Sequence, residues 1–158
     1  GNIEHKEGKK FSHTYPERYW PKHAGEGEIN EGIRYSYGDL DDVVDLLKKE
    51  PYTRQAYLPV WFPEDTGVVH GGRVPCSIGY HFMIRNEKLN CWYQMRSCDA
   101  IRHFRDDVYM TVRLAQWVSG KLPFGIMTGN LYMTISSFHA FEPDTSILER
   151  VASGGELP

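Results

Sequence analysis

Apolar and polar residues recur along this chain with two different periods, and the periods divide it into elements. From Asp39 to Lys49 the period is helical, with Leu40, Val43, Val44, Leu46 and Leu47 on one face. Asp39 suits the N-cap, and Asp41 and Asp42 fall in the first turn, where the helix dipole favours negative charge. Lys48 and Lys49 close the last turn and Pro51 stops it. A second helix is predicted over 102–118, because Val108, Thr111, Val112, Ala115 and Val118 keep helical spacing and Leu114 and Trp117 widen the stripe. Ser119 to Pro123 ends it. Extended segments are predicted over 53–61, 74–84, 89–95 and 131–141. The middle two form a hairpin around Asn86-Glu87-Lys88. A short helix follows over 145–151.

The remaining stretches read as connections. Residues 1–10 are polar and are expected to be a flexible N-terminal segment. Phe11 to Trp20 mixes aromatics with prolines and suggests an irregular segment packed on a larger body. Lys22 to Gly32 is a Gly- and Glu-rich solvated loop, and Pro63 to Gly72 is a turn-rich connection. Residues 153–158 are expected to fray. The reading is a single domain over 11–152, of α+β class.

Composition narrows the classes of function. The 158 residues are 41% hydrophobic and 25% charged, ordinary for a soluble globular protein. A formal charge of -3 argues against general affinity for nucleic acid or for an anionic membrane. No apolar run approaches the roughly 20 residues of a membrane helix. Three cysteines, Cys76, Cys91 and Cys98, make an odd count without a Cys-x-x-Cys pair. Reduced thiols in a cytoplasmic setting fit better than a disulfide framework, and the spacing offers no structural zinc site.

The chemistry concentrates between Arg73 and Asp107. Cys76 follows Pro75 where a loop enters a strand. The cluster Arg96-Ser97-Cys98-Asp99 and the pair Asp106-Asp107 come next. A thiol is a nucleophile only as thiolate, and a nearby cation such as Arg96 favours that form. Cys91 and Cys98 read as small core hydrophobes. A cysteine hydrolase pairing Cys76 with His81 or His139 lacks a group to orient the base. The two acids at 106 and 107 also suit the first turn of the following helix.

With these pieces in order, the chain resembles the family of thymidylate synthases and pyrimidine hydroxymethylases, from about Tyr15 to about Glu149. The resemblance is carried by Pro75-Cys76, Leu89-Asn90-Cys91, Arg96-Ser97-x-Asp99, the stretch Lys48 to Trp61, and Ser136 to Phe141. It implies a thymidylate synthase-like fold, a mixed β-sheet packed with helices, shortened at both ends. It also implies folate-dependent one-carbon transfer to C5 of a pyrimidine deoxynucleotide monophosphate. Cys76 would add to C6 of the base, and 5,10-methylenetetrahydrofolate would be the cofactor. Arg96, Ser97 and Arg54 would hold the phosphate, Arg54 from a partner subunit, so a homodimer is implied. Asp99 would contact the base through its backbone region, and His139 would contact the sugar hydroxyl.

Departures from the family pattern are informative. The residue that reads the base falls on Asp107 when counted from Arg96 without gaps, or on Asp106 with a one-residue shift. A carboxyl there goes with deoxycytidylate hydroxymethylases, since it accepts from the cytosine amino group and, when protonated, donates to N3. Gln55 replaces the second arginine of the usual pair, Ser77 replaces a histidine, Met95 a glutamine and Phe141 a tyrosine. The family's folate-side segments have no match, so the cofactor-binding residues are unassigned. A non-catalytic nucleotide-binding or assembly subunit on the same fold is the rival expectation.

Overall fold

The computed structural model describes residues 14–22, 38–68, 73–123 and 125–155. The elements run α1 (Tyr15–Tyr19), α2 (Leu40–Lys49), β1 (Tyr57–Pro59), a 3-10 turn (Pro63–Val68), β2 (Ser77–Arg85), β3 (Lys88–Met95), β4 (Cys98–Asp99), α3 (Phe104–Lys121), β5 (Met127–Ile135), β6 (Phe138–His139), a second 3-10 turn (Glu142–Asp144) and α4 (Thr145–Ala152). The main sheet has the order β1-β2-β3-β5, and β4 pairs with β6 in a two-stranded ribbon. β1, β2 and β3 are antiparallel neighbours. β3 and β5 are parallel, which requires a crossover, and α3 supplies it. The architecture is therefore α+β, as the sequence pattern implies, with a mixed sheet.

The hairpin closes through Asn86 and Glu87, both with positive φ (51° and 59°). Two consecutive left-handed residues match the right-handed twist of the flanking strands, and Asn tolerates that conformation well. At the other end of β2 the ladder is irregular between Ser77 and Gly79. The amides of Val60 and Trp61 both donate to the Ile78 carbonyl, at 2.9 and 3.0 Å. A Cβ on Gly79 would lie 2.7 Å from the Leu58 carbonyl oxygen, so the close approach of β1 requires glycine.

One apolar core lies between the sheet and the helices. Leu58, Tyr80, Phe82, Ile84, Leu89, Cys91, Tyr93 and Met95 face it from the strands, and Leu40, Val43, Val44 and Leu47 from α2. The capping box is formed in full at α2: the Asp39 carboxylate accepts from the amides of Asp41 and Asp42, and Asp42 accepts from the Asp39 amide. The buried seam of α3 runs through Asp107, Thr111, Leu114, Ala115 and Val118, so the stripe begins on a carboxylate rather than on Val108.

Several boundaries differ from the sequence pattern, each for a local reason. Residues 15–19, expected to be irregular, form a short helix with proline in its first turn. The strand expected over 53–61 shortens to 57–59, because the amides of Thr53, Gln55 and Tyr57 are used in local turns. The strand expected over 131–141 starts earlier, at Met127, and breaks at Ser136 and Ser137. The predicted loop at 22–32 lies outside the described residues beyond Lys22, as does the N-terminal segment 1–10. Among the described residues no helix is long and apolar enough to cross a membrane.

α1 is too short to be stable alone. Arg18, 1% exposed, fastens it to the loop after β1 through two bonds to Asp65, at 2.5 and 3.0 Å, and a third to the Val60 carbonyl at 3.0 Å. Asp65→Ala strips a buried guanidinium of this counter-charge. Urea unfolding is expected to show a loss of about 3–5 kcal/mol. The double change Arg18→Met with Asp65→Leu should recover most of it.

Candidate active site

Cys76 is exposed, one residue ahead of β2. Its backbone is held by a single residue across the hairpin. The Arg96 guanidinium donates from Nε to the Pro75 carbonyl at 2.9 Å and from Nη2 to the Val74 carbonyl at 3.2 Å, while the Arg96 amide donates to the Cys76 carbonyl at 2.9 Å. The guanidinium also lies over the Trp61 ring, 5.6 Å from its centroid. A guanidinium carries five N–H donors; part of that set is spent on the loop that presents the thiol. Arg96 thus braces the loop that carries Cys76.

The ribbon of β4 and β6 brings the next expected residues together. Ser137 donates its amide to the Arg96 carbonyl at 3.1 Å, Cys98 to the Ser137 carbonyl at 2.9 Å, and Ala100 to the His139 carbonyl at 2.7 Å. Asp99 and His139 are register partners. Ser97 and His139 are half-buried. The His139 ring nitrogen Nδ1 lies 3.3 Å from the Ser137 carbonyl oxygen, and its ring meets Phe141 edge-on at 5.4 Å. Asp99 is buried, and its Oδ1 accepts from the amides of Ile101 and Arg102 at 2.9 and 3.0 Å. Burial pushes its pKa up, but those two amides and the Arg102 charge outweigh it and leave the carboxyl below its usual range. Its Oδ2 is buried without a hydrogen-bond partner among the described residues; Arg102 Nε is 3.8 Å away.

The two acids of α3 separate. Asp106 is exposed, while Asp107 is 8% exposed and turns inward. The Cys98 thiol donates to Asp107 Oδ2 at 3.5 Å. Burial raises the Asp107 pKa, and the repulsion of Asp106 adds to it. Cys98, His103 and Tyr15 act in the opposite direction by favouring the ionised form. Burial, reinforced by the Asp107 charge, pushes the Cys98 thiol up to about 12; burial alone does the same to Cys91.

Three hydroxyls missing from the sequence reading complete the enclosure. Tyr15 bonds to Ser77 Oγ at 2.7 Å, and Ser77 Oγ bonds to the Tyr93 hydroxyl at 2.5 Å. Burial pushes the Tyr15 pKa up, against the opposing effect of its bonds to Ser77 and Tyr93. A signal existed: Ser77 and Tyr93 occupy core-facing strand positions, where a hydroxyl must find a partner.

Arg54 is not part of this cluster within one chain. It is exposed, and its carbonyl accepts from His81 Nε2 at 3.1 Å. Tyr57 pairs with His81, and at the usual rise per residue His81 lies roughly 13 Å along β2 from Ser77. The outward face of the sheet beside it carries an aromatic row, one ring per strand: Tyr57, His81, Trp92 and Tyr132. Their centroids are 6.0, 6.2 and 4.7 Å apart in turn.

The exposed Cys76 thiol thus stands on a loop braced by Arg96, and α3 turns one of its two first-turn carboxyls inward. The sequence profile of the family described as thymidylate synthase matches residues 6–152. The chain belongs to that family. A Methanosarcina mazei protein named "Putative thymidylate synthase" is 28% identical over 140 residues, 81% of this chain and 62% of its own length. A Methanococcoides burtonii protein of the same name is 26% identical over 160 residues, covering 94% of this chain and 71% of its own length. The chain thus spans about six tenths of the length of the first of these relatives. The crystal structure of thymidylate synthase from T4 phage superposes with a TM-score of 0.61 at 21% identity, over 70% of this chain and 37% of that one, and so shows a shared fold.

The three thiols differ enough in burial to be told apart chemically. In the native chain at pH 8, a maleimide is expected to label Cys76 and to spare Cys91 and Cys98 until denaturant is added. Peptide mapping by mass spectrometry reads the result, and native labelling of Cys98 at a comparable rate contradicts its enclosure.

Proposed function

We propose that this chain forms the nucleotide site of a folate-dependent C5 transferase acting on a pyrimidine deoxynucleotide monophosphate. The observation that carries the reading is the bracing of the Cys76 loop by Arg96, the two residues that carry the family resemblance. In this reading Cys76 Sγ bonds to C6 of the base, and C5 becomes the nucleophilic carbon. Arg96 donors beyond the loop carbonyls, with Ser97, hold the phosphate; charge-assisted donors suit that group. His139 meets the sugar hydroxyl. Asp107 reads the base edge, and its raised pKa suits a carboxyl that both accepts from the cytosine amino group and donates to N3. Asp106 is the helix-dipole partner instead. The reading leans to deoxycytidylate and to a hydroxymethyl product.

Asp99 contacts the base through its backbone region, and no residue of this chain is assigned to the folate. When bound, the folate supplies the one-carbon unit.

The outward sheet face supports a homodimer. A row of four aromatic rings across all four strands is a self-complementary surface, and the exposed Arg54 lies at its margin, where it can enter a partner's site. Tyr132→Lys is expected to convert a dimer to monomer in sedimentation velocity, and an unchanged dimer would exclude this face.

Catalysis is tested by incubating the chain with 5-fluoro-deoxycytidylate or 5-fluoro-deoxyuridylate and 5,10-methylenetetrahydrofolate. A covalent adduct on Cys76, lost in Cys76→Ala, is expected, more with the cytosine analogue. Asp107→Asn should reverse that preference by about tenfold or more, the scale of one buried polar contact. No adduct with either analogue would leave a non-catalytic nucleotide-binding subunit as the function.

A further inference from the structure

We propose that Cys98 is a specificity-determining residue: its S–H donates to Asp107 Oδ2, keeps that oxygen an acceptor, and leaves Oδ1 to carry the proton when the carboxyl meets a base. The proposal rests on the functional reading above, because it refines how Asp107 reads a pyrimidine in the same site.

A protonated carboxyl resembles an amide at a base edge: one oxygen donates and the other accepts. In one arrangement the pair matches the N3 acceptor and the amino donor of cytosine. With the proton on the other oxygen, it matches the N3–H donor and the O4 acceptor of uracil. A carboxyl free to exchange the two arrangements takes either base. Discrimination therefore needs a neighbour that tells the two oxygens apart.

Cys98 is that neighbour. Its Sγ lies 3.5 Å from Asp107 Oδ2, and the two residues are buried, at 2% and 8% exposure. The carbonyl oxygen of an acid accepts better than its hydroxyl oxygen, so a standing donor at Oδ2 favours the proton on Oδ1. Burial pushes the Cys98 pKa up to about 12, so the thiol keeps its own proton at neutral pH. The Asp99 backbone carbonyl, 3.7 Å from the same sulfur, is the more distant acceptor.

The fold holds both partners in place. Cys98 sits in β4, where its amide donates to the Ser137 carbonyl at 2.9 Å and Phe138 is its register partner. The turn that follows is closed by Asp99 Oδ1, which accepts from the amides of Ile101 and Arg102. Asp107 is then fixed in the first turn of α3. Its amide donates to the His103 carbonyl at 2.9 Å, and its carbonyl accepts from the Thr111 hydroxyl at 2.7 Å. A turn bonded at each step thus returns the carboxyl to a thiol nine residues earlier. A buried cysteine ordinarily serves as a small hydrophobe. This one also brings a donor to the oxygen of a buried acid.

The test uses the full chain with Cys98→Ala, Cys98→Ser and Asp107→Ala. Infrared absorption reports the S–H stretch of Cys98, identified by its loss in Cys98→Ala; a bonded S–H absorbs at lower frequency than a free one. The band is expected to move to higher frequency in Asp107→Ala. Titration calorimetry with deoxycytidylate and with deoxyuridylate gives two dissociation constants without any folate. Their ratio is expected to fall about fivefold toward equality in Cys98→Ala, the scale of one modest hydrogen bond. In Cys98→Ser, whose hydroxyl is also a donor, it should stay within about twofold of the parent value. Lost packing alone would weaken both nucleotides together and leave the ratio in place. An unmoved band assigns the thiol to the Asp99 carbonyl and overturns the proposal, as does a ratio unchanged in Cys98→Ala. A parent chain that binds neither nucleotide, or both equally, refutes the functional reading and with it the role given to Cys98.

Discussion

Arg96 stands at the one point where the separate parts of this chain are joined. Its amide bonds to Cys76, its carbonyl receives the Ser137 amide, and its guanidinium reaches Val74 and Pro75 while covering Trp61. The entry to β2, the exit from β3, the break after β5 and the loop after β1 therefore meet on one residue. Bonds to a charged donor are stronger than bonds between neutral groups. Geometry at the thiol then depends on an interaction that also organises the sheet.

The environment around that point is unusually rich in buried polar groups. Asp107 opens the buried seam of α3 where an apolar residue is ordinary, and one buried oxygen of Asp99 has no hydrogen-bond partner among the described residues. Buried carboxyls of this kind oppose folding unless something compensates them. Compensation here is partial: two amides for Asp99, a thiol and a phenol for Asp107. The well-satisfied Arg18–Asp65 pair, by contrast, belongs to the support.

Much of this was legible before any coordinates. Helices α2 and α3, the hairpin and the cysteine at its entry follow from apolar period, capping residues and turn chemistry. The family profile covers residues 6–152, slightly wider than the motifs alone suggested. α1 was missed because five residues with one proline give no period to read. The break at Ser136-Ser137 was missed because a parallel ribbon with β4, contacting residues forty positions away, is invisible in a local window. Asp106 and Asp107 were equivalent in sequence, and the 3.6-residue turn of α3 sends one outward and one inward.

By itself the sequence determined most element types and the class of fold, because those depend on local propensity and on the spacing of apolar residues. Only the tertiary structure decided which of the two acids is buried, that Arg96 braces the loop carrying Cys76, and that Tyr15, Ser77 and Tyr93 join in one hydroxyl chain. Those contacts link residues 16 to 62 positions apart. They exist because the sheet register and the packing of two helices bring the groups together in a place where unbonded polar atoms are too costly to leave alone.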